Sequence, residues 1–126
     1  MSASLLNKDM DLTPGFRNAL CEIFGRYAKK NAGFLNEDEL QEFAKFTNST
    51  PFSSEELEEI RENLKCTKEG FLLKEGFIQL YHLQTASGDD EETWKDLKKH
   101  GYDNCLKLVA KPKKQLLVRQ QTNAKK

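Results

Sequence analysis

The sequence has 126 residues, with 20 basic and 20 acidic side chains and a formal net charge of zero. This length fits one domain and is too short for most multi-domain enzymes, and the balanced charge gives the whole molecule no strong field to steer a charged partner. Three cysteines without a Cys-x-x-Cys pair indicate neither a disulfide framework nor a structural zinc site, and no apolar run is long enough to cross a bilayer. We expect a monomer in the cytoplasm, with the nucleus as the alternative location.

The first part of the chain is predicted to change from a flexible segment to a helix at a proline. Residues 1–12 are predicted to be a flexible lead-in. Thr13 and Pro14 then begin a helix, the threonine as N-cap and the proline as the first helical residue. Apolar side chains follow at helical spacing, and the helix is expected to end near Lys29 or Lys30.

The next helices are predicted from their starting signals. Asn36 is followed at the third helical position by Glu39, and Ser53 in the same way by Glu56, so both pairs have the spacing of a capping box. A fourth helix is predicted over about residues 75–84. Four helices therefore occupy the first two thirds of the chain.

A three-residue motif occurs twice, once between the first and second predicted helices and once between the third and fourth. It reads Gly33, Phe34 and Leu35 in the first copy, and Gly70, Phe71 and Leu72 in the second. Glycine followed two residues later by an aliphatic residue is typical of the centre of an EF-hand loop, where the aliphatic residue joins a short strand. We therefore predict an all-α fold over residues 13–85: an EF-hand pair with four helices and two short, paired loop strands.

The first loop lacks the side chains that calcium needs. If Gly33 is the sixth loop position, the first, third and fifth positions are Ala28, Lys30 and Ala32, none of which offers a side-chain oxygen. Glu39 is at the twelfth position, but a capping box already explains it.

The second loop also lacks the glutamate that closes a calcium site. With Gly70 at the sixth position, the early positions are Lys65, Thr67 and Glu69, and Gly76 stands where the closing glutamate belongs. We therefore expect no metal and no cofactor in either loop. The alternative hypothesis is a calcium-binding EF-hand sensor.

A fifth helix is predicted within residues 86–106. Asp89 is its expected cap, and His100 near its end is expected to act as a cation at the negative end of the helix dipole. Trp94 and Leu97 at i and i+3, extended by Tyr102, have the form of anchors that fill the apolar groove of an EF-hand pair. The sequence is compatible with two hypotheses: either this helix is an internal ligand of the groove, or Trp94 is the largest core residue of a five-helix bundle.

The order of these elements resembles one unit of the Miro family, the atypical mitochondrial Rho GTPases. The resemblance covers about residues 12–105 and depends on four segments, which are residues 33–40, 48–52, 69–78 and 92–103. It implies that the helix after the EF-hand pair occupies the groove in the manner of a bound peptide, with Trp94 and Leu97 as buried anchors. The sequence has no Gly-x-x-x-x-Gly-Lys-Ser/Thr motif, so nucleotide hydrolysis is not implied.

Residues 107–126 are predicted to be a basic, partly disordered tail, because no acidic residue occurs after Asp103. Candidate contacts for phosphate groups are Lys111, Lys113, Lys114 and Arg119. Nucleic-acid contact through this tail is a second alternative.

No set of side chains has catalytic spacing, so we predict that the protein is not an enzyme. We predict instead a non-catalytic adaptor that binds one or more protein partners.

Overall fold

The computed structural model describes residues 2–109, which form five helices and one two-stranded antiparallel sheet. The elements are α1 (Pro14–Tyr27), β1 (Phe34–Leu35), α2 (Glu37–Asn48), α3 (Ser54–Asn63), β2 (Leu72–Leu73), α4 (Lys74–Ala86) and α5 (Asp90–Lys99). This confirms the predicted fold of an EF-hand-like pair followed by a fifth helix. Within the described range, no helix is both long enough and apolar enough to span a bilayer.

Two capping boxes form as predicted and fix the starts of α2 and α3. At α2, the amide of Glu39 donates to Asn36 Oδ1 over 2.8 Å, and the amide of Asn36 donates to the Glu39 carboxylate over 3.0 Å. At α3, Ser53 and Glu56 exchange the same two bonds over 3.1 and 2.8 Å. These bonds satisfy amides that have no partner within the helix, so each helix begins at a defined residue.

The starts of α1 and α5 differ from the prediction. Thr13 precedes α1, but its hydroxyl donates to the Ser4 carbonyl over 2.8 Å and does not cap the helix. Asp89 precedes α5, and its side chain makes no capping bond either. Pro14 remains a sufficient signal for α1 because its fixed φ suits the first helical position.

The two loops pair through one short ladder. Leu35 lies opposite Leu72, and Phe34 lies opposite Leu73, in antiparallel register. The rings of Phe34 and Phe71 stack with their centroids 5.3 Å apart. The repeated motif therefore lies where the two loops pair. In the second copy, the strand begins only at Leu72, the last residue of the motif.

The two repeated glycines are not equivalent. Gly70 has a φ of 90°, in the left-handed region that favours glycine, whereas Gly33 is not among the residues with positive φ. The sharp turn expected of both glycines thus requires a glycine at the second loop alone.

An aromatic cluster joins α1, α2 and α4. Phe24, Phe43 and Phe77 are each at most 2% exposed, and Phe77 contacts the other two rings at centroid distances of 5.6 and 5.1 Å. The planes are tilted or edge-on, the arrangement that the charge distribution of aromatic rings favours. From α3, the buried residues are Leu57 and Ile60.

The lead-in packs against the core through Leu5 and Leu12. Leu5 is only 5% exposed, and the amide of Thr13 donates to its carbonyl over 2.9 Å. Leu6 and Leu12 form a bridge that closes a small hairpin over residues 5–13.

A second hairpin over residues 101–109 repeats the first. In each, one side-chain oxygen, Oδ1 of Asn7 or of Asp103, accepts the amides two and four residues later. The amide of Ala3 donates to the carbonyl of Asn104 over 2.7 Å and connects the two turns. The expected boundary between cap and tail at residue 107 therefore falls inside this hairpin. The remainder of the predicted tail, residues 110–126, lies outside the described residues.

Candidate functional site

The carboxylate of Glu39 is at the position that would close a calcium site in the first loop. It is 5% exposed, and its Oε2 accepts the backbone amides of Lys29 and Lys30, each over 3.0 Å. Its Oε1 accepts the amide of Asn36 over 3.0 Å. Both carboxylate oxygens are thus bonded to the amides of the loop itself.

These bonds also set the ionisation of Glu39. Burial raises the pKa of the carboxyl, but the amide bonds from Asn36, Lys30 and Lys29 outweigh burial and hold the pKa below its ordinary value. The carboxylate is therefore charged near neutral pH. Three N–H dipoles supply the positive field that a bound cation would otherwise supply.

The rest of the first loop offers no ligand cluster. Lys30 and Ala32 are exposed, and Lys29 pairs through its ammonium with Glu42 at 3.2 Å on the surface. Among residues 2–109, no group of three or more histidines, cysteines, aspartates or glutamates is placed to hold a metal ion.

The second loop is closed by its own backbone. The amide of Leu73 donates to the carbonyl of Lys65 over 3.0 Å, and Cys66 bridges to Leu72. A side chain at Gly76 would meet this closed loop, because an added Cβ would lie 2.3 Å from the Lys65 carbonyl oxygen. A glutamate therefore cannot occupy the twelfth position unless the loop opens.

Replacement of Gly76 by alanine is expected to lower the free energy of unfolding by about 2–3 kcal/mol, because the methyl group would clash with backbone. The matched control is Gly25→Ala in α1, where an added Cβ meets nothing within 4 Å. That change should raise the free energy of unfolding by about 0.5–1 kcal/mol. Urea unfolding of both variants measures the difference. A Gly76→Ala variant as stable as Gly25→Ala would contradict the closed loop.

The predicted groove anchors on and after α5 are placed differently from one another. Leu97 is 1% exposed and Tyr102 is 7% exposed, so both belong to the core. Trp94 is only half-buried and lines an open cavity beside residues 2–6. The structure thus brings Leu97 and Tyr102 into the core and leaves Trp94 at its edge.

Two buried residues of this region were not among the predicted anchors. Thr93 is fully buried, and its hydroxyl is 2.8 Å from that of Thr85 on α4. His100 is 1% exposed. Together with Leu97 they follow the i, i+4, i+7 spacing of one helix face, whereas the predicted anchors Trp94 and Leu97 follow i, i+3 spacing.

His100 is a buried neutral residue, so its predicted role as a cation is wrong. Its Nδ1 lies 2.9 Å from the Asp96 carbonyl and must donate to it, which leaves Nε2 to accept from the hydroxyl of Tyr27 at 2.9 Å. Its ring packs against Phe43 and Phe46 at centroid distances of 5.8 and 5.0 Å. Burial lowers the pKa of His100 to about 4.

This burial predicts that acid destabilises the fold. The pKa of His100 rises from about 4 in the folded state to its ordinary 6.5 on unfolding, so the unfolded chain binds the proton more tightly. The contribution is complete above pH 6.5 and is lost as the pH falls towards 4. Unfolding at pH 5 should cost about 2 kcal/mol less than at pH 7.5.

Urea unfolding across this pH range tests the prediction, with His100→Gln as the variant that cannot titrate. The variant should be less stable at pH 7.5 and should lose the pH dependence between 6.5 and 5. An unchanged pH dependence in the variant would assign the effect to another group.

A polar clamp holds the hairpin after α5 to α1. The hydroxyl of Tyr102 donates to the Glu22 carboxylate, which also forms two bonds of 2.7 and 2.9 Å with Arg26. Arg26 donates in turn to the His100 carbonyl over 2.9 Å. α5 is thereby fixed at its C-terminal end by hydrogen bonds as well as by packing.

The basic residues predicted to contact phosphate groups, which are Lys111, Lys113, Lys114 and Arg119, all lie outside the described residues. The described site therefore consists of the two paired loops and the helix that packs beside them.

Several known proteins are similar in sequence to about four fifths of this chain. Mitochondrial Rho GTPase 1 of Caenorhabditis elegans is 33% identical over 102 residues, which cover 77% of this chain and 16% of that protein. The protein of the same name from Neurospora crassa is 33% identical over 107 residues, covering 80% and 17%. EF-hand calcium-binding domain-containing protein 7 of Xenopus laevis is 29% identical over 105 residues, covering 82% and 17%. The chain thus spans about one sixth of the length of these relatives.

These similarities confirm the resemblance to one segment of the mitochondrial Rho GTPases. A family model described as EF hand associated matches residues 50–120, which include α3, α4 and α5. The matched range is more than half of the sequence, and it contains the second loop together with the helix that packs beside it. The chain belongs to the EF-hand-associated family.

Proposed function

We propose that this chain is a non-catalytic, calcium-independent module for binding protein partners. The observation that carries the proposal is the Glu39 carboxylate, whose oxygens accept the amides of Lys29, Lys30 and Asn36. A calcium ion at this loop would have to displace those bonds and would gain no carboxylate from the early loop positions. The loop keeps its shape through its own hydrogen bonds.

The second loop supports the same conclusion by a different mechanism. There the bond between Leu73 and Lys65 closes the loop, and Gly76 supplies no oxygen at the closing position. Since neither loop needs an ion to hold its conformation, the module stays in one state and does not switch with calcium.

The packing of α5 supports the proposed role of that helix as an internal ligand. Leu97, Thr93 and His100 are buried together, and the hydroxyl of Tyr81 on α4 donates to Asp96 over 2.8 Å. A helix held in this way covers apolar surface that an EF-hand pair otherwise presents to a target. The module would then bind partners through surfaces that α5 leaves free.

The second candidate is a calcium sensor, which is favoured by the similarity to EF-hand calcium-binding domain-containing protein 7 of Xenopus laevis. For this chain it would require that Glu39 release the amides of Lys29 and Lys30 and turn towards an ion. The early loop positions, Ala28 and Lys30, would then leave the ion short of side-chain oxygens.

The two candidates differ in how partner binding responds to calcium. We would use the full chain as bait in cell extract with either 1 mM calcium or 1 mM chelator. If the chain is a calcium-independent adaptor, it should capture the same proteins in both buffers, in amounts above those captured by an unrelated bait. Capture that needs calcium would establish the sensor instead, and capture of nothing above background would contradict the adaptor.

A further inference from the structure

An apolar surface is lined by residues of α3 and α4 and of the segments that flank α3. It is a groove of about 370 Å³ with the apolar residues Phe52, Ile60, Leu64, Leu80 and Leu83 along it. Ile60 and Leu64 form a floor that is at most 9% exposed, whereas Leu83 is 55% exposed at the rim. This volume is in the range of surfaces that accept a ligand side chain or a short peptide segment.

The internal helix does not reach this groove. None of the residues that line it belongs to α5. Thr93 of α5 contacts Thr85 of α4, and His100, which directly follows α5, contacts Phe43 and Phe46 of α2. α5 therefore fills one side of the helix pair, and the face between α3 and α4 has no cover among residues 2–109.

The wall of the groove is held in place by a specific pair of hydrogen bonds. The Gln41 side chain donates to the Phe52 carbonyl over 3.0 Å and accepts the Phe52 amide over 2.7 Å. This two-bond contact fixes the segment before α3 against α2. The groove is therefore formed before any ligand arrives, which lowers the entropic cost of binding.

The rim of the groove is acidic. Five exposed glutamates lie along α3, which are Glu55, Glu56, Glu58, Glu59 and Glu62. Within residues 2–109, Glu58 is the one member with an ion-pair partner, Arg61 at 4.0 Å. Glu56 and Glu59 line the groove directly. Their field favours a cationic ligand and opposes an anionic one.

We propose that the groove between α3 and α4 binds a basic amphipathic helix of a partner protein, independently of calcium. Apolar side chains at i, i+3 or i+4 would fill the space above Ile60 and Leu64, and flanking lysines or arginines would pair with Glu56 and Glu59. This proposal rests on the proposed function as a binding module and assigns the surface and the chemistry of its partner.

The test uses a fluorescent 18-residue helical peptide of leucine and lysine, with leucines on one face, and its counterpart with glutamate in place of lysine. Fluorescence anisotropy measures the affinity of each peptide for the full chain in chelator. We expect the lysine peptide to bind and the glutamate peptide to bind at least tenfold more weakly. Equal binding of both peptides would overturn the proposal.

Two pairs of variants locate the site. Leu83→Glu should weaken the binding of the lysine peptide at least tenfold, whereas Val109→Glu, at another largely exposed apolar residue outside the groove, should change the affinity less than twofold. Glu59→Lys should weaken it several-fold, and Glu62→Lys, the same charge change on the same helix outside the groove lining, should have a smaller effect. Binding that ignores Leu83→Glu would overturn the assignment.

Other occupants give different results. If residues 111–119 of the chain cover the groove, reversing the charges of Lys113, Lys114 and Arg119 would increase the affinity for the lysine peptide. If a second copy covers it, Leu83→Glu would lower the molecular mass in sedimentation. Either result would overturn the partner helix. None of these outcomes depends on calcium, so failure here is distinct from a calcium requirement that would overturn the proposed function.

Discussion

Replacing Leu97 by alanine is expected to lower the free energy of unfolding by about 3–4 kcal/mol, the cost of deleting a fully buried leucine side chain and leaving a cavity. Leu97 is 1% exposed and belongs to the core cluster, where the carbonyl of Leu97 also accepts the amides of His100 and Tyr102. Those backbone bonds persist in the variant, so the loss reports the side chain. Urea unfolding measures it.

The comparison that matters is with Trp94→Ala. Because Trp94 is half-buried beside residues 2–6, its removal should cost about 1–2 kcal/mol, below the usual range for a buried aromatic residue. Leu83→Ala, at a leucine that is 55% exposed, should be within about 0.5 kcal/mol of the wild type. If Trp94→Ala cost more than Leu97→Ala, Trp94 would be the principal anchor after all.

Glu39→Gln is expected to lower the free energy of unfolding by about 2–4 kcal/mol, because it removes the charge that strengthens three buried amide bonds. The glutamine amide also turns an N–H donor towards backbone donors. At least one of the amides of Lys29, Lys30 and Asn36 then has no acceptor.

Glu56→Gln is the matched control, since Glu56 has the same position in the capping box of α3. It is exposed and accepts one amide, from Ser53. The substitution should cost about 0.5 kcal/mol, at the low end of the range for losing a helix cap. Equal costs for the two variants would mean that Glu39 serves only as a cap and not as the closure of the first loop.

The sequence was informative where short-range chemistry decides the structure. The capping boxes at Asn36 and Ser53 predicted two helix starts. The repeated Gly-Phe-Leu motif predicted where the two loops pair, and Leu35 lies opposite Leu72 there. These features depend on neighbours within a few residues, so their spacing can be read directly.

Features that depend on distant residues were beyond such reasoning. The spacing from Asn36 explained Glu39 as a cap, but only the fold brings the amides of Lys29 and Lys30 to the same carboxylate. The sequence shows that Gly76 stands in place of the closing glutamate. Only the structure shows that the Lys65 carbonyl leaves no room for a side chain at this position.

The prediction for His100 was wrong for the same physical reason. A histidine in the last turn of a helix is expected to be a solvent-exposed cation, whereas here three aromatic rings and the Tyr27 hydroxyl surround it. The contact between the lead-in and the hairpin after α5 also depends on distant residues, because the amide of Ala3 donates to the carbonyl of Asn104.

A calcium titration of the full chain, followed by the amide resonances of Lys29, Lys30 and Asn36, shows whether the first loop binds the ion. If the Glu39 carboxylate is committed to these amides, the three resonances should not shift up to low millimolar calcium beyond the change seen with magnesium at equal ionic strength. A saturable, calcium-specific shift of these amides, accompanied by a higher melting temperature, would show instead that the Glu39 carboxylate is free to close a calcium site in the first loop.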